Sequence, residues 1–351
     1  MMDIFREIAL EKINDNIIFS PESILSIFSL LKHGAANNTA DEILNYIINN
    51  YNDNKNDSME VDICNCAELV SVNKIYCSNS IEFYDDFIQK ISDSFQTVNF
   101  NNTFETMYLI NEYVKSVTNG KINYILDTPL PFDTKVTVIN CVYFKAKWKY
   151  PFLKNRTYLD KFYVSNKLST NIDMMVNVNN SFLYGKVNEI FGSFSIIDIP
   201  YEGESSMVIL LPDNIDGIYS IEKNISIENF KTWYSLLSIK KIDVYIPKFK
   251  VEITEPYNLV DILYNIGLCN IFGTDSDFSN MCKDKIFIEK FLQKSYIDVS
   301  EEYTEATSCS FTSFTNFSLN VTYKFYANHP FIYIIKDNKN NILFIGRYLN
   351  P

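Results

Sequence analysis

The sequence predicts an α+β fold, and three observations carry that prediction. Helical and extended patterns follow one another without the strict alternation that a doubly wound parallel sheet requires. One stretch, Lys135 to Phe144, is a nearly uninterrupted run of β-formers. The 351 residues show no linker at which to cut, so residues 1–351 are expected to form one domain, although the length alone would accommodate two.

In chain order, Ile4, Phe5, Ile8 and Ala9 recur at helical spacing and predict a first helix over residues 3 to 13. Ser20-Pro21 offers an N-cap with proline at the first helical position, and the run to about Leu31 is apolar on nearly every side, as in a buried helix. Gly34 ends it, and Asn38-Thr39-Ala40-Asp41-Glu42-Ile43 opens another helix. Residues 49 to 60 are polar enough for a surface loop. Val70 to Tyr76 reads as a strand, Ile81 to Ser94 as a helix, and Thr103 to Val117 as a longer helix that Gly120 closes with a left-handed cap. The run from Lys135 to Phe144 is expected to be a central strand buried on both faces, and its Asn140 then needs a hydrogen-bond partner. Further strands are expected around Phe162, from Ser195 to Tyr201, from Met207 to Leu211 and from Ile242 to Phe249. A helix from about Asn258 and a hairpin over Phe331 to Tyr348, turning at Asn338 to Asn341, complete the chain.

Composition narrows function by exclusion. A net charge of −12, from 43 acidic and 31 basic residues, disfavours nucleic acid or an anionic membrane surface as the partner. Nine glycines form no phosphate-binding motif, and two histidines, His33 and His329, leave little room for a Ser-His or Cys-His hydrolase. Neither an enzyme nor a cofactor is expected. Seven scattered cysteines lack metal-site spacing and fit reduced thiols, so no metal site is expected. The opening Met-Met-Asp-Ile-Phe-Arg-Glu-Ile-Ala has no continuous apolar core of a signal peptide, and no run approaches the length of a membrane span.

One stretch fits neither an ordinary loop nor an ordinary strand. Glu301-Glu302-Tyr303-Thr304-Glu305 begins with three carboxylates, and the Ser/Thr run behind it suits an exposed segment. Yet Thr304, Ala306, Ser308, Ser310 and Thr312 place a small residue at every second position, which in a strand is one face. The segment is suited both to exposure and to lying in a sheet against a packed layer.

Several segments together resemble the serpins: Asn16 to Ile24, Gly34-Ala35 with Asn38-Thr39-Ala40, Ile110 to Ile122, Asn140 to Trp148, Met174-Met175, Ile246 to Phe249, Asp277-Phe278-Ser279 and Glu301 to Ala306. Their order matches from about residue 3 to residue 351, and the hinge and C-terminal segments resemble the poxviral branch, which acts inside the infected cell. The resemblance implies three β-sheets with eight or nine helices and a reactive-centre loop over about residues 301 to 322. It implies an inhibitor whose cut loop inserts into a sheet, sheet A of the family, and traps a host protease as an acyl-enzyme; the alternative is a non-inhibitory serpin serving as a binding or scaffold protein. The hinge would comprise Glu301, Glu302, Tyr303, Thr304, Glu305, Ala306 and Ser308. Ser20, Ser23 and Asn140 match the shutter at which the sheet opens, with Gln293 where histidine is usual. Lys248 and Glu301 match positions that pair near the loop's entry in some relatives. Short poxviral spacing makes Asn316-Phe317 the expected reactive bond, which is preferred here; the longer spacing common elsewhere would make it Phe317-Ser318, and Phe314 is a further candidate for a hydrophobic slot. The expected partner is a host serine or cysteine protease: a caspase, a granzyme, an asparaginyl endopeptidase or a chymotrypsin-like enzyme. Asn316 lacks the carboxylate that caspases read, so caspase inhibition should be weak. A monomer in the host cytoplasm, without heparin, nucleic acid or membrane as partner, is the remaining expectation.

Overall fold

The computed structural model describes residues 1–50, 67–301 and 323–351. Its helices are α1 (Met2–Glu11), α2 (Pro21–Leu31), α3 (Asn37–Asn50), α4 (Asp85–Lys90), α5 (Thr103–Val117), α6 (Ile218–Asn224), α7 (Ile227–Ser235) and α8 (Leu259–Asn265). Its strands are β1 (Ile17–Phe19), β2 (Ala67–Ser78), β3 (Phe95–Val98), β4 (Val136–Ala146), β5 (Tyr158–Ser165), β6 (Leu168–Glu189), β7 (Gly192–Pro200) and β8 (Ser205–Pro212). They continue as β9 (Ser238–Pro247), β10 (Phe249–Glu252), β11 (Tyr257–Asn258), β12 (Ile288–Val299), β13 (Tyr323–Tyr326), β14 (Phe331–Asp337) and β15 (Ile342–Tyr348).

Two hydrogen-bonded networks hold these strands. One runs β10-β12-β4-β2-β3, with β11 also on β12. The other runs β1-β15-β14-β8-β7-β6-β9-β13, with β5 on β6. Three layers are nonetheless visible, because the larger network divides within β6. The β6–β9 register shifts between Asn177 and Asn180, where Asn179 takes φ 65°. Before the shift β6 pairs β5, and after it β7. The principal core lies between the networks and takes in α2, whose Ile24, Ile27, Phe28 and Leu31 are buried. A second cluster forms on the other face of the smaller sheet, where Ile110 and Val114 of α5 meet Val72, Ile139 and Tyr143.

The central strand behaves as its composition predicts: the first nine residues of β4 are all buried. Other expectations need correction. Of the helix expected over Ile81 to Ser94, only Asp85–Lys90 forms, because Ser94 gives its carbonyl to Ile75 and the chain becomes β3 alongside β2. Ser20 stands at the N-cap of α2, but its hydroxyl donates to the Leu343 carbonyl at 2.8 Å instead of capping the helix. Gly34 does close α2, but what it provides is space: a Cβ there would lie 2.1 Å from Cγ of Met281.

Candidate functional site

The site is the junction of β4 and β12. These neighbours are parallel, from Ile288 opposite Val136 to Ile297 opposite Phe144, whereas β2 is antiparallel to β4 and β10 to β12. β12 ends at Val299, and residues 302–322 begin three positions later. A segment leaving the end of β12 and turning back would be antiparallel to β12. Since β12 is parallel to β4, it would be antiparallel to both. It would replace one parallel contact, the weaker kind per residue, with two antiparallel ones.

Buried side chains fasten the middle of this junction. Asn140 of β4 and Gln293 of β12 face each other in register, and both are fully buried. Gln293 Nε2 lies 2.6 Å from Asn140 Oδ1, 3.0 Å from Ser23 Oγ and 3.1 Å from the Ser20 carbonyl, so two N–H groups serve three acceptors. The Ser23 hydroxyl is 2.8 Å from both Asn140 Oδ1 and the Ser20 carbonyl. Asn140 spends its own Nδ2 on Asn73 Oδ1, at 2.6 Å, and on the Val72 carbonyl, at 3.4 Å. The expected shutter residues Ser20, Ser23, Asn140 and Gln293 are thus brought together, and Asn73 of β2 extends the chain of bonds across a third strand. Nothing in the local sequence around Asn73 singled it out; only its register opposite Asn140 does.

At the upper end of β12, Trp148 Nε1 donates to the Ser300 carbonyl at 2.9 Å and its ring stacks on Tyr201 at 4.3 Å. Lys248 Nζ sits 2.9 Å from Glu301 Oε2, so the expected pairing forms. Burial opposes the Glu301 charge, but the Lys248 ammonium and Glu301's own backbone N–H outweigh it and hold the carboxyl below its usual pKa. The same contact raises Lys248. Lys248 is 41% exposed, so the pair contributes only about 0–1 kcal/mol. Of the expected hinge, only Glu301 is described. Glu302, Tyr303, Thr304, Glu305, Ala306 and Ser308, and the reactive-bond candidates Phe314, Asn316, Phe317 and Ser318, lie outside the described residues.

The sign of these shifts sets a pH window for the anchor. A depressed carboxyl pKa contributes fully above the ordinary value and loses its contribution as pH falls through the lowered one. The raised lysine contributes fully below its ordinary value, 10.5, and loses its contribution as pH rises through the raised one. Backbone hydrogen exchange at Val299 to Glu301 is therefore expected to accelerate on acidification beyond its intrinsic pH dependence. Glu301→Gln should remove that additional acid transition, and its persistence in the variant would disprove the assignment.

The two networks and the parallel pairing of β4 with β12 can now be set beside known proteins. The family model described as serpin (serine protease inhibitor) matches residues 1–351, and the chain belongs to that family. It is 58% identical over 356 residues to serine proteinase inhibitor 1 of rabbitpox virus (strain Utrecht), with all of both chains covered. Serine proteinase inhibitor 2 of cowpox virus (strain Brighton Red) is 44% identical over 350 residues, with 100% of this chain and 99% of that protein covered. The fold matches uncleaved ovalbumin with a TM-score of 0.86 at 23% identity, over 100% of this chain and 97% of that one.

Proposed function

We propose that this chain inhibits a host serine protease by offering residues 302–322 as a substrate and inserting the cut segment between β4 and β12. The observation that carries this reading is the junction itself: a direct parallel pairing, with Glu301 tied down beside it and β13 anchoring the other end of the segment on β9. While both ends are tethered the segment cannot run the length of β12. The protease nucleophile attacks the carbonyl carbon of the reactive residue, the peptide C–N bond breaks, and the amine leaves with a proton. The N-terminal part is then free to insert while esterified to the enzyme. Insertion competes with deacylation, and about ten new ladder hydrogen bonds at about 1 kcal/mol each favour it.

The names of the two poxviral relatives, both serine proteinase inhibitors, support a serine protease over a cysteine protease. A hydrophobic, chymotrypsin-like slot would take Phe317, so the serine protease reading moves the preferred bond from Asn316-Phe317, the one expected from the sequence, to Phe317-Ser318. Asn316-Phe317, the bond given by short poxviral spacing, is the second reading. An asparagine there forgoes the charge-assisted contact of an aspartate, about 1.5–3 kcal/mol, which argues against a caspase. The setting we propose is the host cytoplasm, where the thiols of Cys77, Cys141, Cys269 and Cys282, all unpaired, would stay reduced. Incubation with chymotrypsin, cathepsin G, granzyme B, caspase-1 and an asparaginyl endopeptidase is expected to give a denaturant-stable complex with a chymotrypsin-like enzyme and a released peptide beginning at Ser318. A peptide beginning at Phe317 would establish the other bond. Cleavage by every enzyme without a stable complex would favour a non-inhibitory serpin.

A further inference from the structure

Ser295 of β12 is 1% exposed, and its hydroxyl has no hydrogen-bond partner among the described residues. By alternation it shares a face with Gln293 and Ile297, on the side of the principal core. Its registered neighbour on β4 is Val142, which offers no polar side-chain atom. On its other flank β10 stops with Glu252 opposite Tyr296 and β11 starts with Tyr257 opposite Gln293, so no residue of either strand stands in register with it. A hydroxyl buried without a partner is costly.

An inserted strand would supply the partner. Thr304, Ala306, Ser308, Ser310 and Thr312 form the small face of the segment that follows β12. These residues lie outside the described ones, and their pairing is read from sequence and sheet geometry. Directly opposed residues of an antiparallel pair point to the same side of a sheet, and a slip of one residue turns every side chain over. For the small face to join the face of Ser295, the reversal after β12 must therefore hold an even number of residues. The shortest such reversal is the two-residue hairpin turn, here Glu301 and Glu302. It sets Thr304 opposite Val299, Ala306 opposite Ile297, Ser308 opposite Ser295 and Ser310 opposite Gln293. The apolar residues of β12 then meet methyl groups and its polar residues meet serines.

We propose that Ser295 is a positioning residue that sets the register of the inserted strand, its unpartnered hydroxyl taking that of Ser308. This inference rests on the insertion reading above, so its test avoids the protease. Two synthetic peptides of residues 302–316, one with the native sequence and one with Ser308→Ala, are offered together in excess to the full chain, and their ratio in the isolated complex is read by mass. The parent is expected to favour the native peptide about fivefold, the worth of one buried hydrogen bond. Ser295→Ala should take up both alike and melt no lower than the parent. Dependence of one hydroxyl's effect on the other is the mark of a direct pair, which a packing role for Ser295 would not give. A third peptide, with Ala306→Ser and Ser308→Ala, keeps the composition but moves the hydroxyl opposite Ile297, and should do no better than Ser308→Ala. Success of that third peptide equal to the native one would overturn the register. Equal uptake of the first two by the parent, an unchanged preference in Ser295→Ala, or a lower melting point for that variant would overturn the pairing and leave insertion standing. No uptake of any peptide by the parent chain would overturn strand insertion itself, and the pairing with it.

Discussion

Thr304→Arg is expected to leave the fold intact and to convert the chain from an inhibitor into a substrate. Thr304 lies outside the described residues, but its place is bounded: it is three positions past Glu301, which is anchored at the upper end of β12. Alternation of small residues from Thr304 to Thr312 puts it on the face that an inserted strand turns toward the core. On that face of the junction stand Asn140, Val142, Gln293 and Ser295, each at most 1% exposed. An arginine brought among them would bury a charge with no carboxylate to meet it, at a cost of several kcal/mol. Each 1.4 kcal/mol is tenfold in a rate, so even half that cost decides a race against deacylation. The measurement is the ratio of denaturant-stable complex to cleaved, released chain with a protease that the parent traps. Retention of the parent's ratio by the arginine variant would refute insertion at this register.

The second large effect is expected at the shutter. Asn140→Ala removes four contacts at once and leaves the buried Ser23 hydroxyl and Gln293 amide, and the half-buried Asn73 Oδ1, short of partners. Stranding two or three buried polar groups costs about 2–5 kcal/mol. Chemical denaturation should show that loss, and the variant should take up the loop-derived peptide faster, because the bonds holding β4 to β12 are those that opening must break. Asn73→Ala is expected to be milder, since it removes one arm of the network and leaves the contact between Asn140 and Gln293 in place. A loss below about 1 kcal/mol for Asn140→Ala would mean that water replaces the side chain and that the network does not gate the junction.

How much of this was legible in the sequence depended on whether burial and polarity agreed. β4 announced itself because its residues are apolar on both faces, and the terminal hairpin because its turn is polar between apolar runs. β12 did not, although it completes the site: Lys290, Gln293, Lys294 and Ser295 interrupt its apolar pattern, and three of them are buried by tertiary partners that no local window contains. The 22 residues of β6 were hidden for another reason. Its exposed positions are mostly polar, with Asn and Ser the commonest, and it pairs β5 and then β7 in succession, so no single alternation runs through it. Gln293 was placed only through family resemblance, and Asn73, the partner of Asn140, by nothing at all until the register was known.

If the insertion proposed above takes place, the junction between β4 and β12 also sets the arithmetic of the protein's action. Each chain has one such junction and one segment following β12 to supply a strand to it. A device that spent part of its own backbone in a single stroke would have no way to reset. The number of protease molecules silenced could then never exceed the number of chains synthesised, and every chain cut without a capture would be lost from the stock. On that reading potency would be governed by copy number and by the fraction of strokes that succeed, and time would enter only through how fast new chains are made.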